Sequence, residues 1–255
     1  MLSSLVKRLW MGSLDAYTVL WSDMAMLRRR LGRYLITTLI SPLLYLVAFG
    51  WGLGRGISMN GTSYLEFVVP GIIALTAMTT SFNGAGTRLN VDRLYFRSFD
   101  ECLMAPIGLL PLLVGKASIG VVRGLFSSLA FVAVAFFIAP KLHFSYIFLS
   151  LLLLDCLAFS FLGVLVALLA KSHQDLATFS SLILLPMTFL GGTFFSPSQG
   201  ALQLVLFALP LTHASVCLRA AALQQPIPWG SLVALAAFSV AFFLAGLWAL
   251  KRMSV

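Results

Sequence analysis

The sequence predicts an all-α integral membrane fold: six transmembrane helices, an N-terminal amphipathic interfacial helix, and short re-entrant helices between helices 5 and 6. Three observations carry that prediction. Charged residues make up 10% of the 255 residues and hydrophobic ones 60%, with a mean hydropathy of +0.99. So small a charged fraction cannot cover a soluble domain of this length. Apolar stretches recur that are long enough, at roughly 20 residues, to cross about 30 Å of hydrocarbon. Lys and Arg collect between alternate stretches, as they do in cytoplasmic loops.

The predicted spans run from about Tyr34 to Leu53, Phe67 to Ala85, Leu112 to Ala139, Phe144 to Ala170, Leu176 to Phe195 and Trp229 to Leu250. With the N-terminus inside, the inner side holds Lys7, Arg8, Arg28, Arg29, Arg30, Arg33, Arg88, Arg93, Arg97, Lys116, Arg123, Lys171, Lys251 and Arg252. The outer side holds Arg55, Lys141 and Arg219, so the count is fourteen against three. That asymmetry predicts both termini on the cytoplasmic side. The same scatter of basic residues between apolar blocks argues against a nucleic-acid partner, despite a net charge of +9.

Ahead of the first span, Leu2, Leu5, Val6, Leu9, Trp10, Tyr17, Leu20, Trp21, Met24 and Leu27 recur at helical spacing. Residues 1–32 therefore read as a cytoplasmic helix lying in the headgroup layer, which its aromatics and the Arg28-Arg29-Arg30 cluster suit. Residues 87–111 form the one sizeable charged inner loop. A short helix is expected there between Leu94 and Met104, ended by Ala105-Pro106. Residues 196–228 are oddly apolar for an outer loop and too broken by Pro to cross twice, so two short helices dipping into the outer leaflet are expected. Backbone at such depth has to be buried in protein or line an aqueous cavity.

Motifs for independent chemistry are missing. Gly115-Lys116 is followed by Ala117 and lacks the upstream glycine of a phosphate-binding loop. Gly50, Gly52, Gly54 and Gly56 follow no strand and so are not a dinucleotide fingerprint. Gly50/Gly54 and Gly120/Gly124 instead fit small-xxx-small helix packing. Cys102, Cys156 and Cys217 show neither disulfide nor zinc spacing. His143, His173 and His213 open no catalytic motif. No secretory signal is read at the N-terminus. Asp155, near the middle of the fourth span, marks either a transport path or a helix-to-helix hydrogen bond. Glu66 stands at the outer start of the second span, where a cap competes with a substrate contact.

Four stretches carry a family resemblance: Tyr64-Leu65-Glu66-Phe67-Val68-Val69-Pro70-Gly71, Asp100-Glu101-Cys102-Leu103-Met104-Ala105-Pro106, Phe189-Leu190-Gly191-Gly192-Thr193-Phe194-Phe195 and Leu209-Pro210-Leu211-Thr212-His213. In this order and spacing they resemble the membrane subunits of ABC-2-type ABC exporters, close to those of nodulation-factor and drug-export systems. Cys102 departs from the expected Leu. The resemblance implies a single transmembrane domain over residues 1–255 that binds no cofactor itself. It implies a dimer of two copies among membrane lipids of the inner membrane, docked on two ATP-binding cassette subunits that hold ATP and Mg. Asp92, Arg93, Arg97, Asp100, Glu101 and Met104 are the implied ATPase-coupling residues. Glu66, Pro70, Asp155, Gly191, Gly192, Phe194, Phe195 and His213 are the pathway or interface candidates. The chain would be non-catalytic, with a lipid-linked, glycan-type or drug-like amphipathic cargo. An ATP-independent secondary transporter is the alternative, and a membrane-embedded enzyme has thinner support.

Overall fold

The computed structural model describes residues 2–28, 31–53, 58–59, 62–105, 107–195 and 206–253. Within them the fold is helical apart from an antiparallel pairing of β1 (Ser58–Met59) with β2 (Thr62–Ser63). The helices are α1 (Leu2–Arg28), α2 (Leu31–Tyr45, continued as π turns over Leu46–Leu53), α3 (Tyr64–Leu94) and α4 (Ser98–Met104). After these come α5 (Leu109–Ile138), α6 (Tyr146–Leu169), α7 (His173–Leu190), α8 (Pro210–Ala222) and α9 (Trp229–Met253).

Five helices among the described residues are long and apolar enough to cross a membrane: α2 with its π extension, α3, α5, α6 and α9. α7 takes the place of the expected fifth span but opens on His173, Gln174 and Asp175, which dilute its apolar character. Its first turn is capped reciprocally: Asp175 N donates to Ser172 Oγ and Ser172 N to Asp175 Oδ2, both at 3.0 Å. α7 stops at Leu190 rather than Phe195 because Gly191-Gly192 follows, with Gly192 at φ +68°.

α3 is the axis of the bundle, buried along most of its length against α5, α6 and α8. Close approach depends on residues without side chains. A Cβ at Gly120 of α5 would stand 2.6 Å from the Ser81 carbonyl, and one at Gly86 of α3 would stand 3.0 Å from the Gly163 carbonyl. The Gly120/Gly124 packing expected from sequence is thus present. Gly54 of the other pair lies outside the described residues.

The charged segment differs from the expected loop. α3 does not end near Ala85 but runs to Leu94, 31 residues in all. At 1.5 Å per residue that is roughly 46 Å, well beyond the hydrocarbon. Its last turns carry Arg88, Asp92 and Arg93, and the helix persists because these charges find partners. On the side that the Lys/Arg count makes the outer one, residues 196–205 lie outside the described residues, so the first expected re-entrant helix is not placed. α8 occupies the second position, and nearly all its residues are buried in protein.

The outward faces of α2, α5, α7 and α9 expose Ile36, Leu44, Phe137, Leu182, Val233 and Leu244. Such faces are at home against lipid tails. On α9, exposed Trp229 and Trp248 stand 19 residues apart, roughly 29 Å along the axis, a spacing that suits the two interfaces of a bilayer.

Candidate functional site: a hydroxyl-lined groove between two anchored ends

At the inner end, four charges from three helices interlock. Arg88 Nε of α3 donates to Asp23 Oδ1 of α1 at 2.6 Å. Lys116 Nζ of α5 reaches Asp92 Oδ2 at 2.6 Å and Asp23 Oδ2 at 3.5 Å. Arg88 Nη2 lies 3.0 Å from Asp92 Oδ1, an ion pair without hydrogen-bond alignment. Both carboxylates are buried, and paired burial of this kind is what makes them tolerable. The cluster ties α1 to α3 and α5.

Next to it, Arg93 turns inward and donates from Nη1 to the Ala167 and Leu168 carbonyls at 2.7 and 2.8 Å. These are orphan acceptors at the end of α6. Arg97, at φ 52°, turns the chain into α4, which Phe99 anchors from beneath. The outward face then presents Tyr95, Phe96, Arg97, Asp100, Glu101 and Met104, with Met104 87% exposed. Of the six coupling residues expected from sequence, Asp92 and Arg93 face inward and four face out.

At the outer end the Phe189–Phe195 stretch is pinned by α3 and α8. Arg219 of α8 donates from Nε to the Phe67 carbonyl at 3.0 Å and from Nη2 to the Gly192 carbonyl at 2.8 Å. Its guanidinium carbon sits 3.6 Å from the Phe67 ring centroid. Burial pulls the Arg219 pKa down to about 10, which leaves it charged at neutral pH. Tyr64 donates to the Phe194 carbonyl at 3.1 Å and Ser215 to the Gly191 carbonyl at 2.8 Å. Phe194 stacks on Phe49 at 4.1 Å, while Phe195 is exposed. Gly71, one residue past Pro70, faces Thr193, whose carbonyl would be 2.8 Å from a Cβ there. His213 donates from Nε2 to the Phe207 carbonyl at 2.9 Å. Glu66 accepts from Ser63 N at 3.2 Å as a helix cap and pairs with exposed Lys141 at 3.7 Å. The structure thus gathers seven of the eight pathway or interface candidates at one end. The eighth, Asp155, is wholly buried in α6 and makes no hydrogen bond among the described residues.

Between these ends, two cavities of about 450 and about 680 Å³ flank α3, one toward α2 and one toward α7. They share Tyr45, Asn83, Thr87 and Thr188. The first cavity is a polar strip: Thr37, Thr38 and Ser41 from α2, Thr76, Thr79, Thr80, Asn83 and Thr87 from α3, and Arg123 from α5. The α3 threonines pay little to sit in a bundle. Thr76 donates to Ile72 O at 2.7 Å, Thr79 to Leu75 O at 2.9 Å and Thr80 to Thr76 O at 2.5 Å, which leaves oxygen lone pairs over. None of the eight sequence-derived pathway or interface candidates lines these two cavities. The missed signal was the spacing of Thr76, Thr79/Thr80, Asn83 and Thr87, which puts one polar stripe on one helix face.

A polar groove inside a set of membrane-length helices, with a short charged helix at its foot, defines a multi-pass membrane transport protein. Comparisons with known proteins give the family. Residues 15–223 match the family described as ABC-2 type transporter. The inner membrane transport permease YadH of Escherichia coli (strain K12) is 32% identical over 173 residues, covering 66% of this chain and 67% of the relative. Nodulation protein J of Neorhizobium galegae is 29% identical over 202 residues, covering 76% of each. That of Rhizobium meliloti (strain 1021) is 27% identical over 201 residues, covering 76% of this chain and 75% of the relative. The chain belongs to the ABC-2 type transporter family and is a permease-type membrane protein.

Proposed function

We propose that this chain is the non-catalytic membrane subunit of an ATP-driven exporter in the inner membrane. Two copies work with two separate ATP-binding cassette subunits, which hold ATP and Mg. α7 serves as the fifth of six spans, both termini lie in the cytoplasm, α1 rests in the headgroup layer, and α8 dips into the outer leaflet. The exposed face around α4 docks on the ATPase, and its motion passes through the Asp23–Arg88–Asp92–Lys116 cluster into α3 and α5. The groove along α3 is half of the transport path, completed by the second copy.

The observation that carries this reading is the hydroxyl stripe of α3, open sideways between α2 and α7. Polar surface at that depth needs water, protein or cargo against it. The relatives named as transport permease and nodulation protein support it, as does the exposed charged helix at the inner end. An amphipathic cargo suits a groove with hydroxyls on one wall and Leu184, Leu185 and Phe189 on another.

The test is affinity purification of the tagged chain in mild detergent with mass spectrometry of the retained proteins. A stoichiometric ATPase subunit is expected. Thr80→Cys in that complex should react with a membrane-impermeant maleimide at a rate that changes when ATP is added. A chain that purifies alone and moves solute in liposomes without ATP would be a secondary transporter and would end the exporter reading.

A further inference from the structure

The larger share of the groove's lining is uncharged, and its one formal charge is Arg123. Neither cavity is lined by Asp or Glu, and among the described residues no carboxylate pairs with Arg123. Its Nε is buried and has no hydrogen-bond partner there. The guanidinium lies 5.6 Å from the Tyr34 ring centroid, and its stem packs beside Gly84, where a Cβ would meet Arg123 Cδ at 3.0 Å. The side chain is therefore held in place rather than left to swing.

The hydroxyls near it are turned to one another and to their own helix rather than to the guanidinium. Thr37 and Thr38 donate back to their own helix, and Ser127 reaches the hydroxyls of Thr38 at 3.2 Å and Tyr34 at 3.5 Å. Asn83, next to Gly84 on α3, lines the same cavity and has no hydrogen bond within the described protein. A fixed cation beside an uncommitted amide, with no carboxylate facing it, suits an anion. A guanidinium presents a planar fork that fits the paired oxygens of a phosphate or a carboxylate. A charge left without any counter-ion at membrane depth costs several kcal/mol by common scales, and such residues mark substrate paths.

Taking the groove as the transport path, we propose that Arg123, with Asn83 close by on α3, binds the phosphate headgroup of an anionic amphiphile. Its apolar tail lies in the adjoining cavity along Leu176, Leu184, Leu185 and Phe189. The first cavity, at about 450 Å³, holds a headgroup, and the second, at about 680 Å³, is walled by apolar side chains where a chain would run. The two meet at Asn83 and Thr87, so one ligand spans both.

The test uses the complex purified with its ATPase and radiolabelled dodecyl phosphate in neutral detergent micelles, read by scintillation proximity. Saturable binding is expected, displaced by unlabelled dodecyl phosphate but not by dodecyltrimethylammonium or uncharged dodecyl glycerol. Arg123→Gln should weaken it at least tenfold, and Arg123→Lys less. Inorganic phosphate competing as well as dodecyl phosphate overturns the amphiphile and leaves a free-anion site. Equal displacement by all headgroups, or unchanged binding in Arg123→Gln, overturns the anion site itself. Should Arg123→Gln fail to fold, the wild-type complex still decides: bound dodecyl phosphate must protect Arg123 from phenylglyoxal, read by peptide mass spectrometry, and unprotected Arg123 at saturation overturns the proposal. The pathway reading is judged apart, by ATP-dependent labelling of Thr80→Cys. If that labelling persists while dodecyl phosphate fails to bind, the path stands and the anion site falls.

Discussion

Lys116 and Arg123 lie on the same helix, seven residues and about two turns apart on one face, yet the structure treats them in opposite ways. Lys116 is buried and spoken for by Asp92 and Asp23. Arg123 faces a cavity and answers to no carboxylate among the described residues. A buried cation with matched anions belongs to the framework, because removing it strands its partners. A fixed cation without them is kept for something that arrives. The contrast makes opposite predictions for two substitutions of similar size. Lys116→Met should leave Asp23 and Asp92 with Arg88 alone and cost about 3–5 kcal/mol, the range for breaking a buried ion pair. Arg123→Gln should leave stability at or above the wild-type level, since no partner is orphaned and an unpaired charge is removed. Thermal unfolding of the detergent-solubilised chain measures both. Equal losses would erase the distinction between framework charge and ligand charge.

A smaller effect sharpens the contrast between the two ends of the groove. The outer end is held mainly by backbone geometry and neutral acceptors; the Glu66–Lys141 pair there is long, at 3.7 Å, and exposed on its Lys141 side. Gly192 sits at φ +68° with its carbonyl taken by Arg219. Gly192→Ala places a Cβ on left-handed backbone and should cost about 1–2 kcal/mol. A Cβ there would have no neighbour nearer than Ser215 Oγ at 3.4 Å, so the loss reports conformation rather than crowding. Unfolding measured at low and at high salt separates the two ends. The Lys116 cluster weakens or shifts with its charges, whereas the Gly192 penalty should be the same in both. A salt-dependent Gly192→Ala penalty would overturn this account of the outer latch.

How far the sequence revealed these regions follows from the range of the interactions. Apolar runs and the Lys/Arg asymmetry act locally, so the membrane class, the helices and the short helix at Ser98–Met104 were legible. The length of α3 was not. Arg88, Asp92 and Arg93 read as a loop because charges usually end a span, and their partners lie far off in sequence: Asp23 is 65 residues from Arg88 and 93 from Lys116. The sequence predicts the fifth span from Leu176 to Phe195, whereas the helix starts three residues earlier, at His173, and stops at Leu190 before Gly191-Gly192. The groove went unread because Thr is neutral to a hydropathy count, although its periodicity on α3 was in plain view. The motif singles out Gly191, Gly192 and Phe194 together, and the structure holds them as a latch at the end of α7, away from the lining of the two cavities.

The smallest effect on stability should accompany a large effect on partnership. The six residues expected to meet the ATPase divide into two that hold the fold and four that face outward. Asp92 lies in the buried cluster and Arg93 caps α6, so replacing either tests folding as much as docking. Glu101 is exposed on α4 and is neither hydrogen-bonded through its side chain nor paired among the described residues. Glu101→Lys should therefore change stability by no more than about 0.5 kcal/mol. It reverses a charge beside exposed Asp100 and Met104, on the surface offered to the partner. If that surface docks the ATPase, purified Glu101→Lys keeps the wild-type melting temperature and loses the co-purifying subunit. Retention of the ATPase together with unchanged ATP-dependent labelling at Thr80→Cys would move the docking surface off α4. The exposed aromatics before α4, Tyr95 and Phe96, would then be the next place to look, because they flank the same turn without carrying charge.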